Sequence, residues 1–264
     1  MAEESFEKNR VALITGAGEG IGRATALKLA EMGAKIGCLG RHLDNTQKTV
    51  DLIKEQGGEA KAIQADVSKW EEMEEAAKKL DELYGRIDIV FAHAGINGTW
   101  APLDELTPEE WNKTININLT GTFHTVKACL PMLKRDGGSV IITSSVNGNR
   151  IFTNTGASAY SSSKAGQIAF MKMIALELAS HRIRVNAVCP GSIESNIDDN
   201  TDVEDVQREK EPVEFPEGKI PLSDGKPGKA EDVANLVAFL ASERSGHITG
   251  TEVYIDGAQS LLQG

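Results

Sequence analysis

Short apolar runs recur along the chain, each followed by a longer stretch with apolar positions three and four residues apart. The first run, Val11-Ala12-Leu13-Ile14, shows no polar alternation, which marks a strand buried on both faces. Residues 21–32 carry helical spacing and stop at Gly33. Residues 35–39 predict the next strand, 43–56 a helix stopped by Gly57 and Gly58, 60–65 a third strand, 69–84 a charged helix ending at Gly85, and 87–92 a fourth strand. Residues 107–134 read as one mostly helical stretch, with Thr107 as cap and Pro108 in the first turn. A strand at 139–143, a helix at 158–180, a strand at 184–188, a helix at 230–241 and a strand at 252–255 complete the pattern. Strand–helix alternation with apolar strands predicts a parallel sheet covered on both faces, and right-handed crossovers make it a doubly wound α/β sheet. No domain break interrupts 1–264, which read as a single domain. Residues 194–227 stand apart. They are polar and acidic, carry Pro212, Pro216, Pro221 and Pro227, and predict a long binding loop.

Composition narrows the partners. With 28 basic and 39 acidic residues the formal net charge is -11, which argues against non-specific binding to nucleic acid or to anionic lipid. No segment approaches ~18 uninterrupted apolar residues, so no membrane span is expected. The polar, acidic start lacks the features of a signal peptide, and the cytoplasm is the expected compartment. Cys38, Cys129 and Cys189 show neither a disulfide framework nor a zinc spacing and read as small buried hydrophobes. The five histidines are scattered, and no metal site is expected.

Two motifs carry chemistry. The run Ile14-Thr15-Gly16-Ala17-Gly18-Glu19-Gly20-Ile21-Gly22 joins the first strand to the first helix, where backbone amides and the positive helix end can meet a pyrophosphate. A packing turn is the alternative reading. Tyr160 and Lys164 lie four apart in a predicted helix, sharing one face at about 6 Å between β-carbons. An ammonium beside a phenol stabilises the phenolate and makes an acid–base pair.

These landmarks resemble those of the short-chain dehydrogenase/reductase family, over about residues 8–260. They run in order: the glycine turn at 15–22, Asp66-Val67, Ala92-His93-Ala94-Gly95, Asn116-Ile117-Asn118-Leu119, Ser145, Tyr160 with Lys164, and Pro190-Gly191. The resemblance implies a Rossmann-type sheet and an NAD(P)-dependent oxidoreductase interconverting a secondary alcohol and a ketone. Tyr160 is then the general acid/base. Lys164 holds the nicotinamide ribose and lowers the Tyr160 pKa, Ser145 bonds the substrate oxygen, and Asn118 anchors a water linking Lys164 to solvent. Thr15, Gly16, Gly18, Gly20, Ile21 and Gly22 cradle the cofactor phosphates. Asp66 and Val67 receive the adenine, and Ala94 and Gly95 border the cofactor. Pro190, Gly191, Ile193 and Ser195 wrap the carboxamide. The chain departs from the family at Ala92-His93, where asparagines usually brace the sheet. His93 is accordingly read as structural. The distance from Ser145 to Tyr160 is also longer than usual, predicting a bulge at 149–155 beside the substrate.

The end of the second strand bears on the cofactor. Leu39-Gly40-Arg41-His42 has no acidic residue to bind the ribose hydroxyls, and Arg41 can pair a 2′-phosphate. Glu19 opposes that phosphate or pairs with Arg41. The balance slightly favours NADP(H) over NAD(H). Trp100, Ile151 and Phe152 are expected to wall the substrate pocket. The resemblance further implies a homotetramer, with helices 107–134 and 158–180 pairing across two-fold axes; Met171, Met173 and Ile174 suit burial there and suit an ordinary core as well. A catalytically silent nicotinamide sensor remains the alternative function.

Overall fold

The computed structural model describes residues 9–194, 201–203, 206 and 220–263. In chain order the elements are β1 (Val11–Thr15), α1 (Gly20–Glu31), β2 (Lys35–Gly40), α2 (Leu43–Glu55), β3 (Ala60–Gln64), α3 (Trp70–Tyr84) and β4 (Ile89–Ala92). There follow β5 (Gly98–Trp100), α4 (Pro108–Ile115), α5 (Gly121–Asp136), β6 (Gly138–Thr143), α6 (Ser158–Leu178), β7 (Ile183–Pro190), β8 (Thr201–Val203), α7 (Ala230–Ala241), β9 (Glu252–Ile255) and α8 (Gln259–Gln263). Seven strands form one parallel sheet in the order β3-β2-β1-β4-β6-β7-β9, the doubly wound Rossmann-type arrangement that the sequence predicts.

Strand geometry explains the missing polar alternation. Val11 and Leu13 point into one core with Met73, Leu80, Leu133 and Met171. Ala12 and Ile14 point into the other with Leu29, Ile53, Val233 and Val237. A fully buried aliphatic side chain contributes roughly 1.5–3 kcal/mol, so a strand with two buried faces stays apolar at every position. All three cysteines are buried as expected, and burial pushes each thiol up to about 12.

Helix ends follow their sequence signals. Thr107 and Glu110 form a reciprocal capping box at α4, the Thr107 hydroxyl accepting from the Glu110 N–H and the Glu110 carboxylate from the Thr107 N–H. Gly85 ends α3 in the left-handed region, with φ 76°. The predicted helix over 107–134 is not continuous. A π-turn, Asn116–Thr120, separates α4 from α5. Asn118 accepts from the Ile96 N–H at 2.9 Å and donates to the Ile96 carbonyl at 2.9 Å, so its side chain serves as a backbone partner for the segment after β4. The widened turn carries that side chain inward. A further small parallel pair, β5 with β8, lies outside the main sheet.

Candidate active site

The strand order reverses at β1. The chain steps outward through β2 to β3 and then crosses to β4, opening a crevice above the C-terminal ends of β1 and β4, where open parallel sheets place ligands. Thr15 fixes its floor: its hydroxyl oxygen accepts from the backbone N–H of His93 at 3.0 Å and of Ala94 at 3.1 Å. Above it, Gly16 and Gly20 adopt φ of 70° and 50°, a region open to glycine. The Gly18 carbonyl accepts from Arg23, and the Ala17 carbonyl accepts from the Thr49 hydroxyl at 2.8 Å. Carbonyls are thus tied back at the start of α1, whose first turn holds no acidic residue, and the amides there remain to bind an anion. A β-carbon on Gly22 would sit on the Gly16 carbonyl oxygen. Gly22→Ala is therefore expected to lower stability by about 1–3 kcal/mol and to weaken nucleotide binding at least tenfold by calorimetry. Wild-type affinity in that variant would show that the turn has slack.

Two cavities adjoin at Gly95. The first is lined by Gly16, Gly18, Arg41, Asp66, Val67 and Ala94. Burial works against the Asp66 charge, but the Ser68 hydroxyl and amide, with Arg41 and Lys69, outweigh it and hold the carboxyl below its usual range. Both Ser68 bonds fall on Oδ1, at 2.7 and 2.9 Å, which leaves Oδ2 for another donor. Arg41 is exposed and acts electrostatically on Asp66.

The second cavity brings together Ile21, Ser145, Tyr160, Lys164, Pro190, Gly191 and Ile193. Ser145 follows β6 and is almost buried, while its neighbour Ser144 turns away to donate to the Lys164 carbonyl at 2.9 Å. Tyr160 and Lys164 share the buried face of α6. Burial pushes the Tyr160 phenol above its ordinary value, and the Ser145 hydroxyl pulls it partly back. Burial also drives Lys164 down to about 8. The Lys164 ammonium donates to the Thr143 carbonyl at 2.9 Å and lies 5.5 Å from the Tyr160 ring centroid. Here the expectation of a lowered Tyr160 value needs correction: desolvation of the phenol dominates, and Lys164 is not among the groups that shift it.

Thr15, Gly20, Gly22 and Asn118 frame these cavities without lining them. The Asn118 carbonyl accepts from the Thr122 hydroxyl at 2.7 Å and from Gln167 Nε2 at 2.9 Å. Its side chain at the same time holds the Ile96 backbone. His93 lies half-buried and stacked on Phe91, its Nδ1 3.1 Å from the Thr143 hydroxyl, and desolvation with nearby Lys164 drives it down to about 3. A neutral imidazole thus bridges β4 and β6, in keeping with a structural reading. Ser195 falls outside the described residues.

Trp100 and Ile151 line the second cavity as expected, but Phe152 is 72% exposed and turns to solvent. In its place Asn147 and Asn154 reach the cavity from the segment between β6 and α6, with Asn97 after β4 and Gln259 at the start of α8. The long Ser145–Tyr160 spacing was the signal for the first two. No sequence signal marked Gln259.

Taken at the level of class, this is a Rossmann-type nucleotide-binding α/β protein. A family model described as enoyl-(acyl carrier protein) reductase matches residues 16–258. The chain belongs to the short-chain dehydrogenase/reductase family of oxidoreductases. It is 37% identical to a 3-oxoacyl-[acyl-carrier-protein] reductase of Thermotoga maritima, covering 95% of this chain and 97% of that one. It is 35% identical to a cyclohexanol dehydrogenase of an Acinetobacter species, covering 95% and 94%. A crystal structure described as a 3-ketoacyl-ACP reductase from Sinorhizobium meliloti 1021 superposes with a TM-score of 0.92 at 53% identity, covering 96% and 99%. No helix among the described residues is long and apolar enough to cross a membrane.

Proposed function

We propose that the chain interconverts a secondary alcohol and a ketone with a nicotinamide cofactor, as one catalytic unit over 1–264 with 194–227 as the substrate-binding loop. The observation that carries this reading is the convergence of buried Ser145, Tyr160 and Lys164 on one cavity that adjoins the glycine-turn cavity. The tied-back carbonyls, the free Asp66 Oδ2 and the absence of any β-carbon at Gly16, Gly18 and Gly95 fit a dinucleotide lying across both. When bound, the nicotinamide supplies or accepts the hydride at the carbinol carbon. In reduction Tyr160 gives its phenolic proton to the carbonyl oxygen, and Ser145 donates a hydrogen bond to the same oxygen. The Lys164 ammonium, 5.5 Å from the Tyr160 ring centroid, would hold the nicotinamide ribose beside the phenol. In oxidation the Tyr160 phenolate takes the hydroxyl proton.

Arg41, exposed at the rim of the first cavity, supports NADP(H) as the preferred cofactor. The expected result is a higher kcat/KM with NADPH than with NADH, reversed by Arg41→Asp at least tenfold. A tenfold preference of the wild type for NADH would sink the assignment. Phe123 on α5 and Met173 and Leu176 on α6 are exposed apolar side chains suited to the proposed tetramer, whereas Met171 lies in the core, the other placement open to it.

A further inference from the structure

We infer that the second cavity takes a small polyhydroxylated substrate, of the sugar alcohol or aldose class, rather than a long apolar acyl chain. This inference rests on the oxidoreductase reading and concerns the part of the site away from the glycine turn.

Four amide side chains, Asn97, Asn147, Asn154 and Gln259, line this part of the cavity. Asn97 donates through Nδ2 to the Thr201 hydroxyl at 2.7 Å, which leaves its Oδ1 as an acceptor. Gln259 Oε1 accepts from the Ser192 N–H at 2.9 Å, which fixes the side chain and leaves its Nε2 as a donor. The side chains of Asn147 and Asn154 make no hydrogen bond among the described residues; Asn147 is buried, at 6% exposure, and Asn154 is exposed at the cavity mouth. The Trp100 indole N–H is buried without an acceptor. An amide both donates and accepts, and so does a hydroxyl, so each free amide group can pair with a substrate hydroxyl in either sense. An indole beside them offers the flat apolar face against which a C–H-bearing ring or chain can lie.

An aliphatic chain in the same place would strip water from these amides and return no hydrogen bond. A buried polar group left unpaired in this way weakens binding by about fivefold to a hundredfold, and several such groups compound the rejection of a substrate that lacks hydroxyls. Of the three apolar side chains expected to wall this cavity, Trp100 and Ile151 line it and Phe152 faces solvent.

The test measures kcat/KM for sorbitol, xylitol and glucose against cyclohexanol and an acetoacetyl thioester, with both cofactors. Wild type is compared with Asn154→Leu and Gln259→Leu. Calorimetry of sorbitol and glucose binding to the cofactor-loaded protein is run in parallel. The expected result is turnover of a polyol or aldose above that of cyclohexanol and the thioester. Each variant should shift that preference toward cyclohexanol by tenfold or more. Cyclohexanol or the thioester outrunning every polyol and aldose a hundredfold would overturn the inference and leave the oxidoreductase reading standing. Polyol or aldose binding that is lost in the variants, with no turnover of any compound, would support the inference while the oxidoreductase reading fell. Absence of both turnover and binding of every polyol and aldose would overturn the inference.

Discussion

Tyr160→Phe should lower kcat by about 10²–10⁴ and leave the cofactor Kd within threefold of wild type. The substitution removes one oxygen from a ring whose packing in α6 is otherwise kept, and among the described residues the phenol is the only titratable hydroxyl lining the second cavity. Stopped-flow or steady-state absorbance at the nicotinamide band reads the rate, and calorimetry reads the affinity. Turnover at the wild-type level would remove Tyr160 from the acid–base role. Loss of cofactor binding together with rate would assign it a structural part in the crevice. A catalytically silent sensor predicts no rate to lose in either protein.

The second large effect concerns Lys164. Lys164→Met should abolish most turnover and, at neutral pH, raise thermal stability. Burial holds the folded-state value near about 8, below the ~10.4 of an exposed lysine. The folded protein therefore binds fewer protons than the unfolded chain between those values. Stability from this group rises with pH across that window, and the full cost of burying the charge is present below it. The Met variant avoids that cost but forfeits the bond to the Thr143 carbonyl. A net gain of about 1–2 kcal/mol near pH 6.5 is expected, shrinking toward pH 10. Scanning calorimetry at the two pH values checks both sign and trend. A wild type more stable than the variant at pH 6.5 would mean that the Thr143 bond outweighs desolvation. The groups around the ammonium do not alter the sign: His93 is held neutral, and the Cys189 thiol is pushed up to about 12.

The sheet and its covering helices were legible because burial on both faces erases polar alternation, as in Val11–Thr15, and because Gly33, Gly57 and Gly85 stop helices where the apolar period ends. The π-turn was not legible. Its residues keep the apolar spacing of the helices on either side, and only the distant Ile96 backbone draws Asn118 inward. Nor was the β5–β8 pair, whose two three-residue strands lie a hundred positions apart and carry no pattern long enough to read. The site residues could be named from motifs, but their balance of forces could not. Nothing in a Tyr-x-x-x-Lys spacing says that Lys164 reaches the Thr143 carbonyl, or that Phe152 turns outward while Asn147 and Asn154 reach in.

The order of the strands also sets an order in time. Ile14 pairs with Cys38 on one side and with Phe91 on the other, so β1 gains its second neighbour only after the whole of β2, β3 and their helices has been made. During synthesis the crevice for the dinucleotide can close once β4 has emerged, long before the ribosome reaches Tyr160. Pairings this distant slow the folding of parallel sheets. A nascent chain halted just beyond β4 already holds both walls of the nucleotide crevice and none of the residues that would act on a substrate.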